Sequence, residues 1–220
     1  DNYRLIFENP LIWSGYKNTL IVVACGVVYG MGMTVCMAYA FSRKSFPGKR
    51  PLFLLVLFTM FFGGGLIPLY LLIKNMGLYG SLWGNVLIQA AWNLPFSVFL
   101  YTGFMRTLPK ELEEAAYIDG CSTFGVYLRI FLPLLKPVTA TCLIRAGIGI
   151  WNDYLVSASI LNNVRKPTLM VAIYAFFGQY VSEYGYAFAG IIMASLPIIA
   201  LFALLQKYFI KGLVAGAIKG

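Results

Sequence analysis

No histidine occurs anywhere in the 220 residues of this chain. Its absence removes zinc motifs of the HExxH type, Ser-His-Asp hydrolysis and rhomboid-like intramembrane proteolysis together. Charge is scarce as well: only 11% of residues are Asp, Glu, Lys or Arg, far below the usage of a soluble domain. No GxxxxGK[ST] segment is present, so the chain has no P-loop with which to bind ATP itself. The four cysteines, Cys25, Cys36, Cys121 and Cys142, show no CxxC spacing, and three of them sit in apolar runs. They read as reduced packing residues, with neither a disulfide set nor a metal site implied. The first residue is Asp1 and no methionine precedes it, from which a missing N-terminal segment is expected.

What remains is mostly apolar. Hydrophobic residues make up 60% of the chain and the mean hydropathy is +0.78, more apolar surface than one soluble core of this length hides. The formal charge of +9 at pH 7 raises nucleic acid as a partner. The bases are scattered between apolar spans, however, so juxtamembrane placement fits them better and no nucleic-acid role is expected. The class is an all-α integral membrane protein in contact with lipid.

Asp1–Lys17 is mixed and interfacial, with Tyr3, Phe7, Trp13 and Tyr16 near a membrane boundary. Residues 19–41 then run 23 positions without a charge, long enough to span. Gly26, Gly30 and Gly32 within them suit close helix packing. Ser42–Pro51 carries Arg43, Lys44, Lys49 and Arg50 around a Pro47-Gly48 turn, the mark of a cytoplasmic loop. A second span over 52–73 is interrupted by Gly63-Gly64-Gly65 and Pro68, where a break or kink is expected. A third covers 82–105, and a fourth 137–155. An external stretch follows, with a turn at Asn162–Thr168 and a short re-entrant or interfacial helix over 169–181. The fifth span, 186–206, contains Pro197 and leads to a cytoplasmic tail with Lys207, Lys211 and Lys219. The result is one transmembrane domain, 1–220, that starts outside and ends inside. Arg165 and Lys166 fall outside against the charge rule, and so call for a partner.

Polar side chains within spans must face the bundle interior or a watery path. Trp92 and Asn93 lie in the third span; Arg145, Trp151, Asn152, Asp153 and Tyr154 lie in the fourth. Arg145 and Asp153 are roughly 12 Å apart along one helix, so a direct pair needs bending. They are either polar groups satisfied by packing or part of a translocation path. These residue types also stack on and hydrogen-bond sugars.

One stretch stands apart from the apolar background. Glu111, Glu113, Glu114 and Asp119 are half of the eight acids in the chain. A helix starting near Pro109 carries the glutamates in its first turns, where its dipole favours negative charge. Leu112, Ala115, Ala116 and Asp119 share one face at helical spacing. Gly120 suits a left-handed C-cap, and Ser122 or Thr123 can cap a second helix. Phe124, Tyr127, Leu128 and Phe131 then form an apolar stripe ending at Pro133. The segment 107–136 falls on the side of the basic loop by alternation alone. Periodicity leaves open an amphipathic loop resting on the bilayer surface.

The spelling is more specific. Glu114-Ala115-Ala116, three residues, Gly120, nine residues, Ile130, one residue, then Leu132-Pro133 resembles, without a gap, the EAA loop of permease subunits of ATP-binding-cassette importers. AYAFSRKSFPGKR (38–50), WNDYLVSASIL (151–161) and KGLVAGAIKG (211–220) are similar to the sugar-importer branch, in particular to the smaller permease of maltose-type systems.

That resemblance implies a type I ABC importer permease bundle with a cytoplasmic coupling helix, in the bacterial inner membrane. Family members carry one more span upstream, which makes six with both ends cytoplasmic. Glu114, Ala115, Ala116, Asp119 and Gly120 become the docking surface for an ATPase, with no catalytic role. Asn162, Asn163, Arg165 and Lys166 fall in an external loop that touches the solute-binding protein. The implied partners are a second homologous permease, two cytoplasmic ATPase subunits, the binding protein and a carbohydrate. ATP and Mg belong to the ATPase subunits, and this chain binds no cofactor. Arg145 and the basic external loop admit an acidic oligosaccharide. The competing readings are a permease of the same architecture for amino acids or phosphonates, and a secondary transporter working without ATP. The latter wants paired inverted repeats, and five spans show no such symmetry. An intramembrane aspartyl protease wants two aspartates in spans, and only Asp153 lies in one.

Overall fold

A computed structural model describes residues 2–161, 166–179, 185, 188–200 and 202–203. Every regular element among them is helical. α1 is Asn2–Glu8 and α2 is Pro10–Arg43, 34 residues long. The second helix therefore begins well before the expected span at residue 19, and the reason is local. Asn9 Oδ1 accepts the Leu11 N–H at 2.9 Å, capping the helix, and Pro10 occupies the first helical position where its missing N–H costs nothing.

The second expected span is broken where the three glycines stand. α3 is Lys49–Phe58 and α4 is Leu66–Asn75. No side chain of α3 is buried, and only Ile73 of α4 is, although both helices are apolar. Such faces require lipid or another subunit. α5, Leu82–Thr107, runs unbroken through Pro95. α6 is Glu111–Ile118 and α7 is Thr123–Val126, followed by a π-helical turn at Tyr127–Phe131 and by α8 at Leu132–Leu134.

α9, Lys136–Trp151, ends before the expected span over 137–155 is complete. Asp153 is the cause: its carboxylate accepts the N–H groups of Val156 at 3.3 Å and Ser157 at 2.9 Å, which starts α10, Leu155–Leu161. α11, Leu169–Gln179, fills the place of the expected short helix, and α12 is Phe188–Ala200. Among the described residues, α2 is by itself long and apolar enough to cross a bilayer. Residues 123–134 and 136–151 meet that test as a pair bent by 81°. Helix lengths alone do not give the five spans that hydropathy suggests.

The chain divides into two compact units: 1–29, 64–92 and 145–204 form the first, and 30–63, 93–144 and 205–220 the second. In the first, Ile6, Ile12, Trp151, Leu169, Ile173 and Met193 pack as one core. α2 and α11 approach so closely there that a Cβ on Gly15 would lie 2.9 Å from Leu169 Cα. Asn18 Nδ2 donates to the Pro167 carbonyl at 2.9 Å, and Thr19 Oγ1 accepts the Leu169 N–H at 2.8 Å. In the second unit, Ala38, Tyr101, Met105, Ala116, Val126, Phe131 and Leu135 form the core. The acidic insert belongs entirely to this second unit.

Candidate coupling site

α6 has no side-chain cap at Lys110; its first turn instead carries Glu111, Glu113 and Glu114, negative charge where the helix dipole is positive. Its other end is closed by two bonds. Gly120 N–H donates to Tyr117 O at 3.0 Å and Cys121 N–H to Ala116 O at 2.9 Å, the paired pattern of a Schellman cap. Gly120 sits at φ +79, a conformation that penalises any Cβ. Ser122 then accepts the Gly125 N–H on its Oγ at 3.2 Å and starts α7. Helix, glycine corner and second helix thus follow one another as the sequence predicts.

The faces differ from the periodic reading. Ala116 is buried in the core, whereas Leu112, Glu114, Ala115 and Asp119 are exposed. Along the face of Leu112, Ala115, Ala116 and Asp119, Ala116 packs inward and the other three are exposed. Ile118 is 86% exposed, a large apolar side chain on the outward face that the sequence reading did not single out. The stripe after Gly120 also shifts. Phe124 and Leu128 are exposed, while Val126 and Phe131 are fully buried. The π-helical turn explains this, because its i→i+5 ladder brings residues five apart onto one face. Burial, with Cys36 adding to it, holds the Tyr127 phenol above its ordinary pKa of 10, so it stays neutral.

Behind α6 lies a polar cluster that spacing did not reveal. Tyr39 OH donates to Glu113 Oε1 at 2.6 Å and lies 3.0 Å from Tyr117 OH. Arg43 Nε stands 3.7 Å from Glu113 Oε2, and the two side chains are only 4% and 12% exposed. The Arg43 Nη2 donates to the carbonyls of Met105 at 2.8 Å and Leu108 at 2.9 Å. Its guanidinium also covers the Phe131 ring, 5.1 Å from the centroid. A polar recess of about 220 Å³ lined by Arg43, Lys110, Glu113, Glu114 and Tyr117 opens on this cluster.

The residues read as a polar path stand in different surroundings. Trp92 is exposed in the first unit, and Asn93 is half-buried in the second. Arg145 and Asn152 are exposed, and Asn152 Nδ2 donates to Ile148 O at 3.0 Å. Trp151 is buried and its Nε1–H donates to Ala194 O at 3.1 Å. Asp153, besides capping α10, accepts the Ser157 hydroxyl at 2.7 Å. Tyr154 stacks on Tyr174 with ring centroids 4.2 Å apart. Trp151 and Asp153 thus hold structural posts at the end of α9. Asn162, Asn163, Arg165 and the tail 211–220 lie outside the described residues, and Lys166 is exposed.

Residues 45–214 match the family described as binding-protein-dependent transport system inner membrane component. The chain belongs to this family. It is a permease subunit of the inner membrane, a transport component without catalytic chemistry, and such systems work with an ATPase and a solute-binding protein. The permease is 35% identical over its whole length, and over 80% of the relative, to the melibiose/raffinose/stachyose import permease protein MelC of Bacillus subtilis. It is 32% identical to the polygalacturonan/rhamnogalacturonan transport system permease protein YtcP of the same organism, covering all of this chain and 82% of that one. Its fold matches a crystal structure of a bacterial ABC transporter involved in the import of the acidic polysaccharide alginate. That match has a TM-score of 0.83 and 27% identity, and covers 94% of this permease and 79% of that chain.

Proposed function

We propose that the permease moves an oligosaccharide across the membrane by alternating access, as one of two homologous permease subunits above two ATPase subunits. The spans proposed for this role are 19–41, 52–73, 82–105, 137–155 and 186–206. α6 is the coupling helix: Glu114, Ala115, Ile118 and Asp119 present its outward face to the ATPase, and Gly120 fixes the corner behind it. The exposed outer side of α6, on a corner locked by a positive-φ glycine, is the observation that carries this reading. Its outward side mixes the acids Glu114 and Asp119 with the small Ala115 and the large apolar Ile118, a surface that suits a protein cleft.

The solute is proposed to be an oligosaccharide containing uronic acid. Relatives named for polygalacturonan and alginate support it, as does the base Arg145 within the fourth expected span; MelC, named for melibiose, raffinose and stachyose, supports a neutral one. Trp92, Asn93, Arg145, Asn152 and Tyr154 are the proposed contacts along the path, and Asn162–Lys166 the contact with the binding protein. The test is ATP hydrolysis by the complete transporter in nanodiscs, with its binding protein and either galacturonate oligomers or raffinose. Stimulation by the acidic oligomers supports the reading. Stimulation by raffinose alone replaces it with a neutral sugar, and co-purification without any ATPase overturns the importer assignment.

A further inference from the structure

Arg43 is the last residue of α2, and its side chain, only 4% exposed, meets three other elements. It donates to Met105 O and Leu108 O, carbonyls at and just beyond the end of α5, where a cation also offsets the helix dipole. It lies across the Phe131 ring of the π-helical turn. It faces Glu113 of α6, whose other oxygen accepts the Tyr39 hydroxyl. A planar guanidinium with five donors can address two carbonyls, a ring face and a carboxylate at once. A lysine ammonium cannot. Glu113 points into this cluster while Ala115 and Ile118 are exposed on the other side of the helix. α6 is therefore held from inside on the side opposite its docking face. Pulling it away from α2 and α5 altogether would leave a buried charge without its partner, which is costly in a poorly solvated site.

We infer that Arg43 is a positioning residue for coupling, joining α6 to the ends of α2 and α5 so that a displacement of the coupling helix is delivered to both. This rests on the assignment of α6 as the coupling helix. It separates two tasks within one short helix: Ala115 and its neighbours receive the ATPase, and Glu113 passes the movement on through Arg43.

The test is hydrogen–deuterium exchange on the complete transporter in nanodiscs, with and without ATP and vanadate. In the wild type, trapping should change exchange in α6, in residues 39–43 and in residues 101–107. In Arg43→Gln the change in α6 should persist, while the changes in the other two segments fall about fivefold, the lower end of ordinary coupling factors. Glu113→Gln keeps the carbonyl bonds of Arg43 and removes only the ion pair; it should separate the segments in the same sense by a smaller factor. Equal responses in wild type and variants overturn the proposal, as does a variant in which α6 itself stops responding, since that marks lost docking. If Arg43→Gln does not assemble, Glu113→Gln decides alone. A wild type whose α6 ignores nucleotide overturns the coupling-helix assignment instead, and with it this joint.

Discussion

At one end, α2 lies so close to α11 that Gly15 has no room for a methyl group beside Leu169, and neutral hydrogen bonds, one donated by Asn18 and one accepted by Thr19, fix the register. At its other end the same helix holds α6 through a guanidinium, a carboxylate and a phenol. The two attachments answer displacement differently. Overlap of packed atoms rises steeply over a few tenths of an ångström, whereas the attraction of two charges changes only as the inverse of their separation. The first unit is thus fastened where nothing gives, and the second where a small movement keeps the partners engaged. A subunit that must stay anchored at one place and transmit movement at another needs both kinds.

The sharpest way to break this contrast is Gly15→Val. The added carbons collide with the Leu169 backbone and the Ala172 methyl, and overpacking of this kind costs about 3 kcal/mol. A large fall in the melting temperature of the detergent-solubilised protein is expected, and a melting temperature equal to that of the wild type refutes the rigid attachment. Gly120→Val comes next. Its positive φ of +79 is strained for a β-branched residue by about 2 kcal/mol. The protein should still insert, but binding-protein-stimulated ATP hydrolysis should drop at least tenfold. Ala115→Arg, on the exposed side, should lose the same stimulation with no change in melting; normal stimulation in either variant counts against α6 as the docking element. The smallest effect is at Asp153. Asp153→Ala removes the cap of α10 and should cost about 1 kcal/mol, whereas Asp153→Asn keeps one of the two accepting oxygens and should cost less. If Asp153→Asn abolishes uptake without altering melting, the carboxylate works through its charge on the solute path.

These sites also mark what could be read from the sequence. The Gly120 corner and the Ser122 cap were legible because both are local: a glycine, a serine and their neighbours along the chain suffice. The break at Gly63–Gly65 was legible for the same reason. The Arg43–Glu113–Tyr39 cluster was not, since its members lie up to 74 residues apart, and Arg43 looks like one more base of a cytoplasmic loop. The start of α2 was written in Asn9-Pro10, but the aromatic residues beside it gave an interfacial signal that hid the cap. Asp153 within an apolar run leaves packing and a path role both open, and the folded chain shows its carboxylate turning back to hold the first N–H groups of α10. Which residues of the apolar stripe after Gly120 are buried is not legible from a period of 3.6 residues, because the helix widens at Tyr127–Phe131.

That widened turn has a consequence for how the chain tolerates changes of length. One residue is in excess between the glycine corner and α9. Deleting any single position in 127–131 would tighten the ladder and swing everything upstream by about 100°, the angular step of one α-helical residue. The outward side of α6 would then look elsewhere, with every amino acid on it intact.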